Sequence, residues 1–188
     1  MDTLEPECGA VLFNMVNFHL LKSWELVLES GRYEAKYTLA MVKPRPSDNL
    51  AFEDDGLIIL FAPDPKDMAF GLKNKTDHAM HVDWNQAALV DPSGKSHQVI
   101  HQGIKFSEKA SPKTPTVIPP GARIEDMVMS ADSVRMGSRE WILEDFLPPG
   151  PQAEKLRGGQ FSIFLPLEID GKTVDYNFVF AIRDITYQ

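Results

Sequence analysis

A chain of 188 residues with 43% hydrophobic and 24% charged residues is long enough to bury one core without disulfide or metal staples. Nineteen Lys and Arg against twenty-seven Asp and Glu leave a formal net charge of -8, which argues against nucleic acid as a partner, because phosphates need compensating cations. The single cysteine, Cys8, excludes an internal disulfide framework.

Residues 1–50 read as an N-terminal extension packing on a domain of residues 51–188. Between residues 10 and 30, Leu12, Phe13, Val16, Leu20, Leu21, Trp24 and Leu28 recur at a spacing closer to a helical stripe than to alternation, with Gly31 as a stop. Residues 24–28 also read as a short strand. Asn14, Asn17, His19, Lys22, Ser23 and Glu25 interrupt this stretch, so it falls short of the ~20 predominantly apolar residues of a membrane span. Residues 33–42 alternate and read as extended. Residues 43–49 hold Pro44 and Pro46 and read as a loop.

From Leu57 onward the pattern is β. Residues 57–62 are a short continuous apolar run closed by Pro63, which suits a strand buried on both faces. Residues 68–72, 80–84 and 87–90 follow as strands, with a polar turn at 74–77. Asp91-Pro92-Ser93-Gly94 is a turn: Pro92 presets φ, Asp91 bonds the local backbone and Gly94 takes a left-handed conformation. Residues 96–104 then return antiparallel to 87–90. Residues 107–115 are a loop, and Ile118-Pro119-Pro120-Gly121 leads into a strand at 122–129. Residues 130–159 read as an irregular insert, with one short helix at 138–146 ended by Pro148-Pro149-Gly150-Pro151.

The closing hairpin is the most explicit pattern. Phe161, Ile163, Leu165 and Leu167 form one apolar row, Asp170-Gly171 is the favoured two-residue turn, and Val174, Tyr176, Phe178 and Phe180 return on the same side. Leu165 falls opposite Tyr176 and Ile163 opposite Phe178. Short strands punctuated by turns, without a βαβ alternation, give a mainly β, antiparallel sandwich or barrel.

Candidate chemistry rests on scattered side chains. His97 and His101 are four apart on one strand, hence on one face but ~13 Å apart at ~3.3 Å per residue, too far for one metal. His78 and His81 lie on opposite strand faces. A metal site would have to combine strands, as with His81, Asp83 and His101. Glu53, Asp54 and Asp55 read as a solvated loop run, with acid–base work or calcium as alternatives. Ser93, Ser96 and Ser111 lack a nucleophile-elbow context, so no catalytic residues are assigned and no cofactor is implied. Trp84 reads as core. Trp141 and Phe146 lie in the insert, whose length suggests a binding surface for a protein or small ligand.

The run Phe52-Glu53-Asp54-Asp55, Lys73-Asn74-Lys75-Thr76, Asp83-Trp84-Asn85, Asp91, Gly94-Lys95-Ser96, Val99-Ile100-His101, Gly103 and Thr116-Val117-Ile118-Pro119-Pro120-Gly121, with the closing hairpin, resembles a family of uncharacterised bacterial proteins with an immunoglobulin-like β-sandwich. The likeness covers roughly residues 50–185. Many members of that family are described as lipoproteins. The resemblance implies a noncatalytic cell-envelope or periplasmic protein, an exported chain and a lipidated cysteine, for which Cys8 is the candidate. Membrane association follows only if Cys8 is lipidated. The seven residues before Cys8 are acidic and lack the basic and apolar regions of a leader, so the sequence as written reads as cytoplasmic. Two alternatives stand beside this reading: a metal-binding protein or hydrolase using His81, Asp83 and His101, and an assembly subunit that pairs through an exposed edge strand.

Overall fold

The computed structural model describes residues 24–30 and 33–187. Over these the chain runs as β1 (Trp24–Ser30), β2 (Tyr33–Lys43), β3 (Ala51–Glu53), β4 (Leu57–Pro63), β5 (Met68–Asn74), β6 (Met80–Val82) and β7 (Ala88–Val90). It continues as β8 (Ser96–Ile100), β9 (Thr116–Ile118), β10 (Arg123–Ser130), β11 (Val134–Met136), β12 (Trp141–Leu143), β13 (Gln160–Ile169) and β14 (Lys172–Tyr187). Twelve of these strands form one large antiparallel sheet, nearly closed into a barrel, with the main order β1-β2-β14-β13-β7-β8-β10-β5-β4-β3, and β11 and β12 form a separate two-stranded sheet. β13 is the branch point, since Ser162 to Phe164 pair with β7 while Leu167 to Ile169 pair with β6, which carries β9 outside it. No helix among the described residues is long and apolar enough to cross a membrane.

The β13–β14 hairpin forms as its sequence dictates. Asp170 (φ 50°) and Gly171 (φ 68°) both take the left-handed conformation that a type I′ turn requires. That loop sets Leu165 opposite Tyr176 and Ile163 opposite Phe178. Seven of the eight expected apolar side chains are buried; Val174 shares the row but lies 40% exposed beside the turn. β14 runs further than the apolar row and pairs with β2. Strict alternation from Phe180 and Ile182 would carry Asp184 inward. A register shift between Ile182 and Asp184 adds one residue, so Ile185 is buried opposite Tyr37 and Asp184 stays outside.

The core lies between the two arms of this sheet. Phe61 of β4 has ring centroids 4.9 Å from Phe178 and 5.0 Å from Phe180 of β14. Phe52, Phe161 and Phe70 extend the aromatic packing on either side. Each such ring contributes about 1.5–3 kcal/mol by burial. The second half of β10 is buried on both faces: Val128 joins the main core, while Met127 and Met129 join a smaller outer cluster with Ile100, Ala131 and Val134. Trp141 and Leu143 of β12 pack on that outer cluster.

Several local expectations are corrected. Residues 24–30 are a strand rather than part of a helical stripe, because Trp24 to Ser30 pair residue for residue with β2; the expected helical residues before Trp24 lie outside the described residues. Residues 138–146 are not a helix. Trp141, Ile142 and Leu143 pair with Met136, Arg135 and Val134, and Gly137 donates its N–H to the Glu140 carbonyl at 2.8 Å to turn the hairpin. The insert 130–159 holds the β11–β12 hairpin and 3-10 turns at Ala131–Ser133 and Pro151–Leu156, joined by irregular segments. Trp84 is core, as expected, but the strand expected over 80–84 ends at Val82 and Trp84 lies in the turn that follows β6.

Asn74, fully buried at the end of β5, fastens the barrel at one rim. Its Nδ2 donates to the carbonyls of His78 (2.8 Å) and Ile118 (2.9 Å), and its Oδ1 accepts from the Thr76 N–H (2.9 Å) and hydroxyl (2.8 Å). Its backbone N–H donates to Ala122 at 2.9 Å. One side chain thus joins β5, the 74–78 turn and β9 with its hydrogen-bonding capacity used. Asn74→Ala leaves buried partners unsatisfied and is expected to cost about 2–4 kcal/mol in urea unfolding. Lys73→Ala, one residue away and exposed, is the control and is expected to stay within about 0.5 kcal/mol.

Candidate functional site

Two of the sequence-predicted histidines stand on one row of β8 and its extension. His97 and His101 flank Val99, whose side chain belongs to the main core. They do not meet. Each engages its own carboxylates, brought from elements on either side of β8.

At the His97 end the turn 91–94 forms as expected. Gly94 (φ 86°) donates its N–H to the Asp91 carbonyl at 2.9 Å. Asp91 Oδ1 accepts from the Ser93 N–H (2.8 Å), the Ser93 hydroxyl (2.6 Å) and the Lys95 N–H (3.1 Å). Its Oδ2 lies 2.9 Å from His97 Nε2, and Asp132 Oδ2 lies 2.9 Å from His97 Nδ1. Lys95 Nζ reaches the same Asp132 oxygen at 3.0 Å. Burial works against ionisation of Asp91. The bonds from the Ser93 hydroxyl, His97 and the two backbone amides outweigh it and hold the carboxyl down at about 2. Lys95, then His97, lowers Asp132 in the same direction.

At the other end His101 stacks on Trp84, with ring centroids 4.2 Å apart and planes 4° from parallel. Trp84 Nε1 donates to Thr116 Oγ1 at 2.8 Å. Asp126 Oδ2 lies 3.3 Å from His101 Nδ1, and Asp126 Oδ1 accepts the N–H groups of Gln102 and Met127, both at 2.8 Å. A carboxylate that accepts from Nδ1 leaves Nε2 as the open position of the ring, and this nitrogen is buried without a hydrogen-bond partner. Chemically this is an oriented imidazole on an aromatic platform.

The remaining candidates are dispersed. His81, on β6, sits opposite Val117 of β9 and Glu168 of β13. Asp83 shapes the next turn, accepting from the Asn85 N–H at 3.0 Å and from Gln86 Nε2 at 2.6 Å. Thus His81, Asp83 and His101 each go to different neighbours, and no group of three or more His, Cys, Asp or Glu among the described residues is placed to hold a metal ion. Asp54 is also a turn residue: Oδ1 accepts from the N–H groups of Gly56 (2.8 Å) and Leu57 (2.9 Å), and Oδ2 accepts the Tyr176 hydroxyl at 2.8 Å. Burial, then Asp54, raises the Tyr176 phenol well above its usual range. Glu53 pairs with Lys75 at 2.8 Å. His78 makes an exposed contact with Asp77 at 3.3 Å. In the insert, Trp141 packs edge-to-face on Phe106 at 5.8 Å, whereas Phe146 turns to the main core and meets Phe161 at 4.8 Å. Cys8 and His19 lie outside the described residues.

Sequence reasoning singled out the histidines but not Asp126 and Asp132, which complete both arrangements. The only signal was indirect: one lies within the strand expected to follow Gly121 and the other just past its end. Pairing that strand with β8 requires long-range register, Met129 opposite Ile100 and Ser130 opposite Val99. Comparison of the chain with family models, with curated proteins and with solved structures finds no match.

Two outcomes follow from these geometries. The folded-state value of Asp91, about 2, lies below the ordinary 3.8. Its contribution to stability is therefore complete above about pH 4 and is lost as the pH falls toward about 2. The stability gap between the native chain and Asp91→Asn, followed by urea unfolding, is expected to narrow over that window; a constant gap contradicts the assignment. Asp126→Ala strips two backbone N–H groups of their acceptor and is expected to cost about 2–3 kcal/mol. His101→Phe keeps the stacking and removes the unpartnered Nε2 but also takes the Nδ1 donor from buried Asp126 Oδ2, so its expected cost is about 1–2 kcal/mol, smaller than that of Asp126→Ala. Thermal melts of the two variants check the order.

Proposed function

We propose that this chain is a noncatalytic binding module of the bacterial cell envelope, an immunoglobulin-like variant of the antiparallel β fold, which engages a protein or small ligand through the insert 130–159. The observation that carries the reading is how the insert is mounted. Its inner side is anchored: Val134 and Ala131 are buried with Met127 and Met129, Trp141 and Leu143 pack against them, and Lys109 Nζ donates to the carbonyls of Ala131 and Val134. Its tip is not. Arg135, Met136, Ser138, Arg139 and Glu140 face solvent, and the large apolar side chain of Met136 is 60% exposed. A short, rigidly based hairpin that presents an unbranched, adaptable thioether beside charges of both signs is suited to recognition rather than to chemistry.

The envelope assignment rests on the family resemblance and on Cys8 as a lipid attachment point. The immunoglobulin-like assignment rests on the same resemblance together with the antiparallel strands that pack face to face around one core.

A photo-crosslinking amino acid placed at Met136 in living bacterial cells tests the binding reading. It is expected to give a discrete adduct, identified by mass spectrometry, that is absent when the probe sits at exposed Thr173 on β14. No adduct at any position of the β11–β12 hairpin, or the same adduct from Thr173, contradicts it. Fractionation that recovers all of the protein in the cytosol removes the envelope part alone.

A further inference from the structure

His97 holds a position that its hydrogen bonds do not explain as simple support. Both ring nitrogens lie 2.9 Å from carboxylate oxygens, and the two carboxylates come from different turns, Asp91 before β8 and Asp132 after β10. An ionised carboxylate only accepts, so each nitrogen must carry a proton to bond both. A ring with one proton satisfies one arm and turns a lone pair toward the other carboxylate. We propose that His97 is a proton-gated clasp: its doubly protonated ring ties the 91–94 turn to the Ala131–Ser133 turn, and loss of one ring proton opens the Asp132 arm and loosens the entry to the insert.

The two arms are unequal. Asp91 is locked in place by the Ser93 hydroxyl and two backbone N–H groups, at 2.6–3.1 Å. Asp132 Oδ2 has an alternative partner in Lys95 Nζ at 3.0 Å, and the Asp132 side chain is 60% exposed against 26% for Asp91. A singly protonated ring therefore keeps Asp91 and releases Asp132. The released turn is the one that leads directly into β11; within it the Asp132 N–H bonds Ser130 Oγ at 3.2 Å and the Ser133 hydroxyl bonds the Ser130 carbonyl at 2.7 Å, while Lys109 Nζ to the Ala131 carbonyl (2.9 Å) and the Glu144 N–H to the Ser133 carbonyl (2.9 Å) hold its far side.

The charged groups facing the ring are few. Asp91 comes from the turn, Lys95 from the residue before β8 and Asp132 from the turn after β10. β7 presents Leu89 opposite His97. On β10, Asp126 is engaged at His101, and Ser130 and Met129 pair with Val99 and Ile100 beyond the ring. Both bridging carboxylates are held below the ordinary range for aspartate, so each remains an ionised acceptor facing its ring nitrogen. The clasp does not depend on whether the insert has a partner.

The test joins ring nitrogen NMR with hydrogen exchange at about pH 5.5 and about pH 8.5. At the lower pH both nitrogens of His97 are expected to be protonated and the amides of 131–136 protected. At the higher pH one proton is lost, and the protection factors of 131–136, corrected for intrinsic exchange, fall by about five-fold or more while β13 is unchanged. In His97→Gln the difference between the two pH values disappears. A ring with a single proton at both pH values, equal protection of 131–136 at both, or a pH response that persists in His97→Gln each overturns the clasp. The ring resonances of the native chain decide the matter if the variant does not fold.

Discussion

The contact of Phe61 with Phe178 and Phe180 is the interaction on which the rest of the structure depends. β14 stands near one end of the strand order and β4 near the other, yet their aromatic rings meet at 4.9 and 5.0 Å. An open sheet of this length would expose its apolar face; folding the two arms onto one another buries it. The Asp170-Gly171 turn decides which residues of β14 reach that contact, because a shift of one residue would send Phe178 and Phe180 outward. The bulge before Asp184 then resets the alternation so that the far end of β14 still buries Ile185 against β2. A local turn preference, a two-residue period and one inserted residue together set the interior.

The same sheet explains how a surface for function arises. β10 buries Val128 inside and Met127 and Met129 outside, so the outer face of β8 and β10 needs a cover. The insert supplies it, with Val134, Trp141 and Leu143 packed on that face and Met136, opposite Trp141 near the tip, left exposed. β8 matches this arrangement from within, with an apolar centre at Val99 and an imidazole beyond each end. His101 closes one end by stacking on Trp84 and binding Asp126, and His97 secures the other, where the insert begins. The polar groups near the core thus lie at the limits of the apolar packing, where their carboxylate partners also satisfy backbone amides.

Features governed by short-range chemistry were legible in the sequence. The closing hairpin and its register, the turn at 91–94, the buried run at 57–62 and the core role of Trp84 could all be read from residue type and spacing. Features governed by pairing partners were not. The strand at Trp24–Ser30 carries apolar residues at a mixed period, and only its ladder with β2 resolves the ambiguity. Trp141 to Leu143 follow a serine that could cap a helix, but as a strand paired with β11 they place both Trp141 and Leu143 on the outer cluster. The histidines were visible as candidates, whereas Asp126 and Asp132 are ordinary surface-type residues until β10 is placed beside β8. Asn74 read as a turn residue, and its bonds to β9 arise from residues 44 and 45 positions away.

Native-state hydrogen exchange across the whole chain is the most direct measurement of a rigid barrel that carries a separately openable insert. The amides of β4, β5, β13 and β14 are expected to exchange only through global unfolding, with one common opening free energy. Those of β11 and β12 are expected to exchange through a local opening of lower free energy that leaves the first group closed. Exchange of β4 independently of β14 would contradict the aromatic join between the two arms. Exchange of β11 and β12 only on global unfolding would contradict the insert as a distinct unit.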